Sequence, residues 1–532
     1  MSFRSPYPDV VVPDVSVTDH VLGDITGREG KTALIDAASG SKVTFGELRH
    51  RALRAAGGLV ARGFAKGDVV ALYSPNTLDY PVAFHGAAHA GGVVTTANPT
   101  YTPEELASQL RDSRARFLVT VAPLVDKATE AARRAGTVRE IFTFDAAPGT
   151  TPFAELLAAD ELERGPDIDP ARDLVALPYS SGTTGISKGV MLTHRNLVAN
   201  MVQIAGCDTL CRPISDRDTV MAVLPFFHIY GLVVVMNYAL WRGARLVVAP
   251  RFDLEPFLKA MQDHRVTFAY LVPPILVALA KHPLVAKYDL SNLEGIMSGA
   301  APLGGDLAAA VEERIDCVVT QGYGLTETSP VTHMGPSQRR GQCPHDSIGP
   351  SLPNTEILIA DVETGEPLGP GERGEVWVRG PQVMAGYLGQ PNSTAATIDR
   401  NGWLHTGDIG IVDESGYCRI VDRVKELIKY KGYQVAPAEL EAVLLTNPHI
   451  KDAAVIRSPD EEAGEVPKAF IVGDGTLTGE DVLAFVAERV SPQKKIRRVE
   501  FIDVIPKSPS GKILRRVLID RDAQRHATEQ PS

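Results

Sequence analysis

The sequence predicts an α/β protein whose large first part is built on parallel sheets, followed by a small antiparallel β-module and a compact α+β domain. From about residue 44 to 330, short apolar runs alternate with helix-length segments, which is the pattern of βαβ units with both sheet faces covered. After about residue 345, strand-like runs are separated by glycine- and proline-rich turns, which is typical of antiparallel hairpins. The 532 residues also require more than one core, because one core rarely grows beyond about 250–300 residues.

Capping boxes mark the first helices of the parallel region. Thr44 is followed three residues later by Glu47, and Thr102 by Glu105, with Pro103 at the first position of the second helix. Between and after these helices come apolar runs bounded by turn residues. The strands predicted from them span residues 69–73, 117–121, 174–178, 220–224, 246–249 and 317–320.

The predicted hairpins of the antiparallel module lie within residues 356–421. Beyond them a change of pattern indicates a separate compact unit. Its predicted elements are a helix near Pro437, a strand at 453–456 and a helix at 481–488. We therefore predict two domains, residues 1–422 and residues 423–532.

Composition excludes several classes of protein. Hydrophobic residues make up 44% and charged residues 22% of the chain, which is ordinary for a globular protein and rules out a disordered or fibrous one. The formal net charge of −11 disfavours a general nucleic-acid or anionic-membrane binder. The five cysteines, an odd number without Cys-x-x-Cys spacing, indicate reduced thiols in a reducing compartment.

The sequence contains no recognisable targeting or membrane signal. The first residues are interrupted by prolines and lack the apolar core of a signal peptide. Residues 222–241 carry no formal charge over about the length of a membrane span, but Pro225 and His228 divide them. We therefore expect a strand, a loop and a buried helix there, in a cytoplasmic protein without stable membrane association.

Residues 179–189 form a glycine- and hydroxyl-rich loop after a predicted strand, with the sequence Tyr-Ser-Ser-Gly-Thr-Thr-Gly-Ile-Ser-Lys-Gly. The glycines allow several backbone N–H groups to point at one anion, and the hydroxyls and the Lys188 ammonium add donors. The spacing differs from that of a Walker A loop. A flexible surface turn would not need this lysine, so the segment predicts a cradle for phosphate.

Three other segments carry side chains suited to a nucleotide. One of them follows a predicted strand and offers Tyr323, Thr326 and Glu327, which suit a stacked base, a phosphate and a divalent cation. It begins like a dinucleotide-binding fingerprint but lacks the third glycine and the long helix. Asp408 ends a turn where it could bind a ribose diol, and Lys512 lies on a glycine-containing loop. Either of the last two alone would normally be a solvated charge.

Together these four segments resemble the adenylate-forming superfamily, which includes acyl-CoA synthetases, luciferases and the adenylation domains of peptide synthetases. Residues 224–231, 297–303 and 420–434 bring the sequence close to the 4-coumarate–CoA ligases, and the resemblance covers residues 30–520. It implies the adenylate-forming fold with a small mobile C-terminal domain. It also implies a reaction in which a carboxylate attacks the α-phosphate of ATP, with Mg²⁺, and coenzyme A then displaces AMP.

The resemblance assigns roles to residues in both predicted domains. Lys512 is implied to bridge the carboxylate and the α-phosphate, Thr326 to bind the α-phosphate and Glu327 to bind Mg²⁺. His228 and Lys429 complete the implied catalytic set. The residues implied to contact ATP, AMP or CoA are Ser180, Ser181, Gly182, Thr183, Thr184, Gly185, Lys188, Gly299, Ala300, Ala301, Gln321, Gly322, Tyr323, Gly324, Thr326, Asp408, Arg423, Lys425, Lys429, Lys431, Gly432, Gln434 and Lys512.

The same resemblance implies a hinge at Lys425. Rotation of the small domain between the two half-reactions would replace Lys512 by the face that carries Lys429 and Gln434. The basic run at residues 494–498 is interpreted either as a contact for the phosphates of CoA or as a solvated strand edge.

An acid pocket is also implied, apolar, with small residues at its floor and one phenol, which suits a flat aryl-propenoate. Its implied lining is Ile229, Tyr230, Val234, Met297, Ala300, Gly322, Gly324, Pro330 and Val331. Val234 stands where plant relatives often carry a smaller or more polar residue, so tolerance of ring substituents is left open. His228 stands where amino-acid-activating domains place an aspartate, which argues against amino-acid substrates.

The sequence therefore predicts an AMP-forming acid–CoA ligase for a cinnamate-type acid, with small-molecule partners and an oligomeric state that is left open. Three further activities fit the same motifs: a medium-chain fatty acyl-CoA synthetase, a luciferase-like oxygenase of its own acyl-AMP, and an adenylation enzyme that loads a separate carrier protein. An inactive binder is disfavoured because Lys188, Glu327, Asp408 and Lys512 are all present.

Overall fold

The structure is a computed structural model that describes residues 2–180, 187–431, 433–460, 462–508 and 511–529. These residues form four β-sheets. Within these ranges, a nine-stranded and an eight-stranded sheet, both mostly parallel, form the large first part of the chain. A five-stranded antiparallel sheet follows, and a second five-stranded sheet lies near the carboxyl end. The α/β fold with an antiparallel module is therefore confirmed.

The nine-stranded sheet holds both ends of the predicted phosphate cradle. Strand Val69–Tyr73 at its centre is buried along its whole length, which explains its uniformly apolar sequence. At one edge, Tyr179–Ser180 pairs antiparallel with Lys188–Thr193. In spatial order the strands are Tyr179–Ser180, Lys188–Thr193, Leu174–Ala176, Val93–Ala97, Val69–Tyr73, Ala115–Thr120, Glu140–Thr143 and Thr151–Pro152, with Gly386–Tyr387 paired to Lys188–Thr193.

The eight-stranded sheet supplies most of the loops around the candidate site. Only its two outer pairs are antiparallel. Parallel strands bring their carboxyl ends to one edge, so the loops after Ala222, Ser298 and Gly324 meet there. In spatial order the strands are Val331–Met334, Val318–Gly324, Gly295–Ser298, Phe268–Leu271, Thr219–Ala222, Arg245–Val248, Thr32–Asp36 and Lys42–Thr44.

The antiparallel sheet consists, in spatial order, of Ser2–Arg4, Glu356–Ala360, Arg373–Arg379, Leu404–Val412 and Cys418–Arg423. In its last pair Asp408 lies opposite Arg423, which places these two predicted ribose ligands side by side. Asp408 and Arg423 are adjacent because of the register of the two strands, which the sequence alone does not predict.

The C-terminal region, meaning residues 423–532, has its own sheet and core. The strands in spatial order are Tyr433–Val435, Ile428–Tyr430, Gly464–Gly473 and Ile450–Asp460, with Arg498–Phe501 paired parallel to Gly464–Gly473. Ile428, Leu440, Ile471 and Val482 pack in a hydrophobic cluster of this region. The chain passes from one sheet to the other between residues 424 and 427, which agrees with the predicted boundary and hinge without testing them.

Helices cover both parallel sheets. The two predicted capping boxes are present, because Thr44 and Thr102 accept from the N–H groups of Glu47 and Glu105. The α-helices in the described residues are Phe45–Ala61, Tyr80–His89, Pro103–Ser113, Val125–Ala135, His194–Ala205, Ala239–Trp241, Leu254–Asp263, Pro273–Lys281, Gly305–Ile315, Pro391–Thr397, Pro437–Leu445, Gly479–Ala487 and Arg515–Glu529. Shorter 3₁₀ turns are Ala122–Leu124, Phe153–Glu155, Pro283–Lys287, Thr326–Thr328 and Pro492–Lys494.

The uncharged stretch of residues 222–241 forms the expected strand, loop and buried helix. After strand Thr219–Ala222 and a loop comes the π-helix Tyr230–Tyr238, whose residues are all buried. This π geometry was not predicted; a second π turn spans Asp19–Gly23. None of the helices in the described ranges is both long and apolar enough to cross a membrane. The five cysteines are free and buried, as expected for small apolar side chains.

Candidate active site

The end of strand Val318–Gly324 forms the centre of the candidate site. Residues 322–324, which we expected to follow this strand, form its last part because Val331–Met334 pairs with them. The parallel neighbour Gly295–Ser298 ends beside it. Tyr323 and the loop after Gly295–Ser298 therefore lie together at the carboxyl edge, where open parallel sheets bind ligands.

Glu327 is a buried carboxylate with one oxygen satisfied and one open. It lies in the 3₁₀ turn Thr326–Thr328 and is 8% exposed. Ser180 Oγ and Tyr387 OH both donate to its Oε1, each at 2.9 Å. The described residues offer no hydrogen-bond donor to Oε2. An open carboxylate oxygen in this setting suits a hard cation.

The carboxylate of Glu327 fits a magnesium ion that the protein and a nucleotide would bind together. No group of three His, Cys, Asp or Glu side chains in the described part of the chain could hold a metal ion by itself. Magnesium commonly takes one or two carboxylates and completes its shell with water and phosphate oxygens. Glu327 is thus the residue that would hold it.

The lysine of the phosphate loop stands beside this carboxylate. Lys188 Nζ lies 4.7 Å from the centroid of the Tyr387 ring, within the range of a cation–π contact. Among the described residues its ammonium has no carboxylate partner and is available to an anion. The structure thus places Ser180 and Lys188 at the two ends of the loop. The predicted loop ligands that lie outside the described residues are Ser181, Gly182, Thr183, Thr184 and Gly185.

Tyr323, Asp408 and Arg423 form a hydrogen-bonded triad between two sheets. Tyr323 OH donates to Asp408 Oδ2 at 2.6 Å, and Arg423 Nε lies 3.1 Å from Asp408 Oδ1. Asp408 is 4% exposed, and burial raises its pKa, an effect that Arg423 opposes. The triad supplies an aromatic face and a charged polar edge, which suits a base and a ribose.

Gln321 bonds to the loop that follows strand Gly295–Ser298, in which Ala300 and Ala301 are implied to contact the nucleotide. Its Oε1 accepts from Leu303 N at 3.1 Å, and its Nε2 donates to Leu303 O at 3.1 Å and His345 O at 2.6 Å. Ala300 adopts a left-handed conformation with φ of 67° in this loop. The side-chain amide of Gln321 therefore holds Leu303 and His345, and its contact with a ligand stays a prediction.

An apolar slot lies beneath that loop. Tyr230 OH donates to Met297 O at 3.1 Å. A Cβ at Gly299 would lie 2.9 Å from the Tyr230 ring, and a Cβ at Gly322 would lie 3.2 Å from Met297 Sδ. Gly299, implied as a nucleotide contact, and Gly322, implied for the acid pocket as well, are therefore needed to leave room for the ring and the thioether.

Other predicted pocket residues lie in or beside the turn that contains Pro330. A Cβ at Gly324 would lie 1.8 Å from Pro330 O, so only glycine fits there. Asn200 accepts from Val331 N at 3.0 Å and donates to Val331 O at 2.7 Å. Ile229 and Val234 are buried, with Val234 only 1% exposed, and their contact with an acid stays a prediction.

Lys512 reaches the site from the C-terminal region. Burial, together with the positive charge of Arg423, lowers the pKa of Lys512 to about 8. Burial and the charge of Lys512 lower the pKa of His228 to about 4, so this imidazole is neutral at pH 7. The Lys512 ammonium lies within electrostatic range of His228, Asp408 and Arg423.

The helix Pro273–Lys281 contacts the C-terminal region at both ends. At its start, a Cβ at Gly511 would lie 3.2–3.4 Å from Val272 and Pro274. At its end, Lys281 Nζ donates to Leu445 O at 3.1 Å and to Ile450 O at 3.2 Å. These contacts hold the loop of Lys512 against the body of the protein.

The residues implied for CoA lie apart from this centre. Lys429 and Gln434 are paired on an exposed hairpin, and Lys431 Nζ lies 2.5 Å from Glu462 Oε1. Gly432 lies outside the described residues, and the carbonyl of Lys425 accepts from Arg457 at 3.0 Å. The contact of these residues with CoA stays a prediction.

The basic run at residues 494–498 is engaged within the C-terminal region. Lys494 Nζ lies 2.6 Å from Glu439 Oε1, and the Arg497 guanidinium lies 4.9 Å from the centroid of the Tyr430 ring. Neither interpretation made from the sequence anticipated these contacts.

Comparison with known proteins gives the family. Residues 24–388 match the model of the AMP-binding enzymes, and residues 439–512 match the model of the AMP-binding enzyme C-terminal domain. The chain belongs to the AMP-binding enzyme family. It is 43% identical to 4-coumarate–CoA ligase 1 of Petroselinum crispum over 98% of this chain and 97% of the relative. It is also 43% identical to 4-coumarate–CoA ligase of Pinus taeda over 98% and 97%.

Solved structures support the fold of this AMP-binding enzyme. ATP-bound MatB from Rhodopseudomonas palustris is 30% identical, with a TM-score of 0.86 over 96% of this chain and 99% of that one. A benzoate CoA ligase from Burkholderia xenovorans is 27% identical, with a TM-score of 0.85 over 95% and 100%. The adenylate-forming fold, the closeness to the 4-coumarate–CoA ligases and the use of ATP inferred from the sequence are thereby confirmed.

Sequence reasoning missed three residues that position the site of this AMP-binding enzyme. Asn200 fixes Val331, Lys281 joins the body to the C-terminal region, and Tyr387 contacts both Glu327 and Lys188. Each acts through contacts between distant segments. Tyr387 stands between Gly386 and Gly389, which was the one local signal; Asn200 and Lys281 carry none.

Proposed function

We propose that this protein is an AMP-forming carboxylic acid–CoA ligase that acts on a cinnamate-type acid. The observation that carries the proposal is that Lys512, from the C-terminal region, lies within electrostatic range of Arg423 and of His228 and Asp408 in the body, where Tyr230 bonds to Met297 O. A cation between a nucleotide site and an apolar acid site is what adenylation of a carboxylate requires. The 4-coumarate–CoA ligases that match over nearly the full chain supply the substrate class.

In the first half-reaction an oxygen of the carboxylate attacks the α-phosphorus, and pyrophosphate leaves. The two reactants are both anions, so the protein must bring them together and neutralise developing charge. The ammonium groups of Lys512 and Lys188 do this from opposite sides, and the Thr326 hydroxyl donates to the α-phosphate. Magnesium bound at Glu327 would neutralise phosphate charge.

In the second half-reaction the thiol of CoA attacks the acyl carbon and AMP leaves with the oxygen it gained. Lys429 and Gln434 are proposed to serve this step, and they lie on an exposed hairpin in the present arrangement. The C-terminal region, which we place after residue 422, must therefore rotate about Lys425 between the steps. The neutral His228 is suited to accept a hydrogen bond from the thiol.

Adenylation is expected to slow at alkaline pH, because it needs the charged form of Lys512. An ammonium with a pKa of about 8 is charged below that pH and neutral above it, and the charged form is the active one. The kcat/KM for ATP, which reports the free enzyme, is therefore expected to fall as pH rises through about 8. In Lys512→Arg the guanidinium stays charged, so the fall should disappear even though the rate is lower. The same fall in Lys512→Arg would contradict the assignment.

The acid slot is narrow and apolar, which favours a flat aryl acid over a branched or charged one. Gly299→Ala should push a Cβ into the Tyr230 ring and raise the KM for the acid by roughly tenfold, about the effect of a misfitting methyl group. Because Gly299 is also an implied nucleotide contact, the KM for ATP should rise too, but by less than the KM for the acid. Gly305→Ala is the matched control, because a Cβ there meets only ordinary contacts at 3.5 Å from His345. Equal effects of both variants on the acid would contradict this slot.

The test of the proposed function is CoA-dependent release of AMP over a panel of cinnamate, 4-coumarate, caffeate, ferulate, benzoate and octanoate. The highest kcat/KM is expected for a propenoate. Octanoate as the best substrate would favour a medium-chain fatty acyl-CoA synthetase. Turnover with a carrier protein but not with CoA would favour an enzyme that loads carrier proteins, and consumption of oxygen without CoA would favour a luciferase-like oxygenase.

We also propose a cytoplasmic location for the protein. Its described cysteines are free and buried, which fits a reducing compartment, and ATP and CoA are both available there.

A further inference from the structure

Tyr387 touches both charged groups of the phosphate corner. Its hydroxyl donates to Glu327 Oε1 at 2.9 Å, while the face of its ring lies 4.7 Å from Lys188 Nζ. The side chain is 6% exposed, so both contacts are made out of bulk water, where they are stronger. One side chain thus contacts both a carboxylate and an ammonium.

The backbone around Tyr387 ties it to the same two groups. Strand Gly386–Tyr387 pairs with the strand that begins at Lys188, and Leu388 N donates to Gly189 O at 2.9 Å. On the other side, Met384 N donates to Glu327 O at 2.9 Å. The phenol is therefore fixed relative to both the end of the phosphate loop and the turn of Glu327.

Without such a separator, the two charges would be expected to pair. An ion pair would occupy the carboxylate oxygen needed by a cation and the ammonium needed by phosphate. The ion pairs found among the described residues do not include one between Lys188 and Glu327. Their opposite charges are instead each satisfied by a neutral partner, the phenol hydroxyl for one and the ring face for the other.

We propose that Tyr387 is a positioning residue that keeps Glu327 and Lys188 apart and holds both ready for a magnesium–nucleotide complex. Its hydroxyl and that of Ser180 occupy Oε1, so Oε2 is left to the cation. Its ring holds the ammonium without neutralising it. The inference rests on the proposed roles of Glu327 and Lys188. It assigns the orientation of Glu327 to the hydroxyl of Tyr387 and the holding of Lys188 to its ring.

Two substitutions separate these functions. Tyr387→Phe removes the hydroxyl but keeps the ring, so Glu327 loses one restraint while Lys188 keeps its contact. Tyr387→Leu removes both and allows Lys188 to approach Glu327. Tyr417→Phe is the matched control, since Tyr417 lies in the turn before strand Cys418–Arg423 of the antiparallel sheet, which does not include the phosphate loop.

Binding of the Mn²⁺–ATP complex, followed by the enhancement of water-proton relaxation when the complex joins the protein, gives a readout that does not depend on turnover; Mn²⁺–ATP without protein is the blank. Tyr387→Phe is expected to weaken metal binding by about tenfold, the effect of losing one hydrogen bond to a charged group, with little change in ATP affinity at saturating metal. Tyr387→Leu should weaken both by about tenfold each. Tyr417→Phe should match the wild type.

Two results would overturn the inference: unchanged metal binding in a folded Tyr387→Phe, or identical losses in the two variants. The first would show that the hydroxyl does not orient Glu327, and the second that the ring does nothing for Lys188. Thermal melting shows whether each variant is folded. If Tyr387→Leu is misfolded, the metal binding of Tyr387→Phe alone decides the inference. If the wild type binds metal and ATP but forms no AMP, the proposed function fails while this inference stands.

Discussion

Lys512→Ala is expected to slow adenylation by about 10²–10³-fold, comparable with the loss of one donor to a developing charge. The ammonium lies within electrostatic range of His228, Asp408 and Arg423, and its proposed role is to neutralise charge on both anionic reactants. Formation of the thioester from preformed acyl-AMP should remain close to the wild-type rate, because that step uses the other face of the C-terminal region.

The two half-reactions are measured separately, by exchange of pyrophosphate into ATP and by release of AMP from synthetic acyl-AMP with CoA. Lys451→Ala is the control, an exposed lysine of the same region without a described partner. Both of its rates should be unchanged. Equal loss of both half-reactions in Lys512→Ala would remove Lys512 from its assigned role and make it a residue of general structure.

Asp408→Asn is expected to lower the kcat/KM for ATP by about 10²-fold, because hydrogen bonds to a charged group contribute roughly 1.5–3 kcal/mol each. The carboxylate holds Tyr323 through Oδ2 and Arg423 through Oδ1. An amide cannot accept at both positions, so one partner is left unpaired and the base and ribose sites lose their alignment. The KM for the acid should change much less.

Steady-state kinetics with ATP and with the acid as varied substrates give this comparison. Glu414→Gln is the control, an exposed carboxylate at the turn of the same hairpin. It should leave both constants unchanged. A folded Asp408→Asn with wild-type dependence on ATP would show that the triad is only a contact between two sheets.

Local patterns predicted the framework of this protein because their causes are local. Thr44 and Glu47 begin a helix by bonding to each other's backbone, so a four-residue pattern suffices. Val69–Tyr73 is buried on both faces, which a continuous apolar run records directly. The glycine-rich segments were found for the same reason, since the backbone geometry that they allow is written in their own residues.

The arrangement of the site depends on contacts that no short window contains. Tyr387 lies in a two-residue strand whose partner begins at Lys188, so its place beside Glu327 follows only from the assembled sheet. The π-helix Tyr230–Tyr238 could not be distinguished within a uniformly apolar run, because such a run has no helical period. The side-chain amide of Gln321 holds Leu303, a contact between distant segments that no short window contains.

The most direct test of adenylation is the fate of a carboxylate oxygen. The protein is incubated with 4-coumarate labelled with ¹⁸O in its carboxylate, ATP, Mg²⁺ and CoA in unlabelled water, and the AMP is analysed by mass spectrometry. Each AMP is expected to carry a single ¹⁸O, because the oxygen that attacks the α-phosphorus leaves with AMP when CoA takes the acyl group. AMP without the label, or ADP as the product, would contradict an acyl-adenylate intermediate.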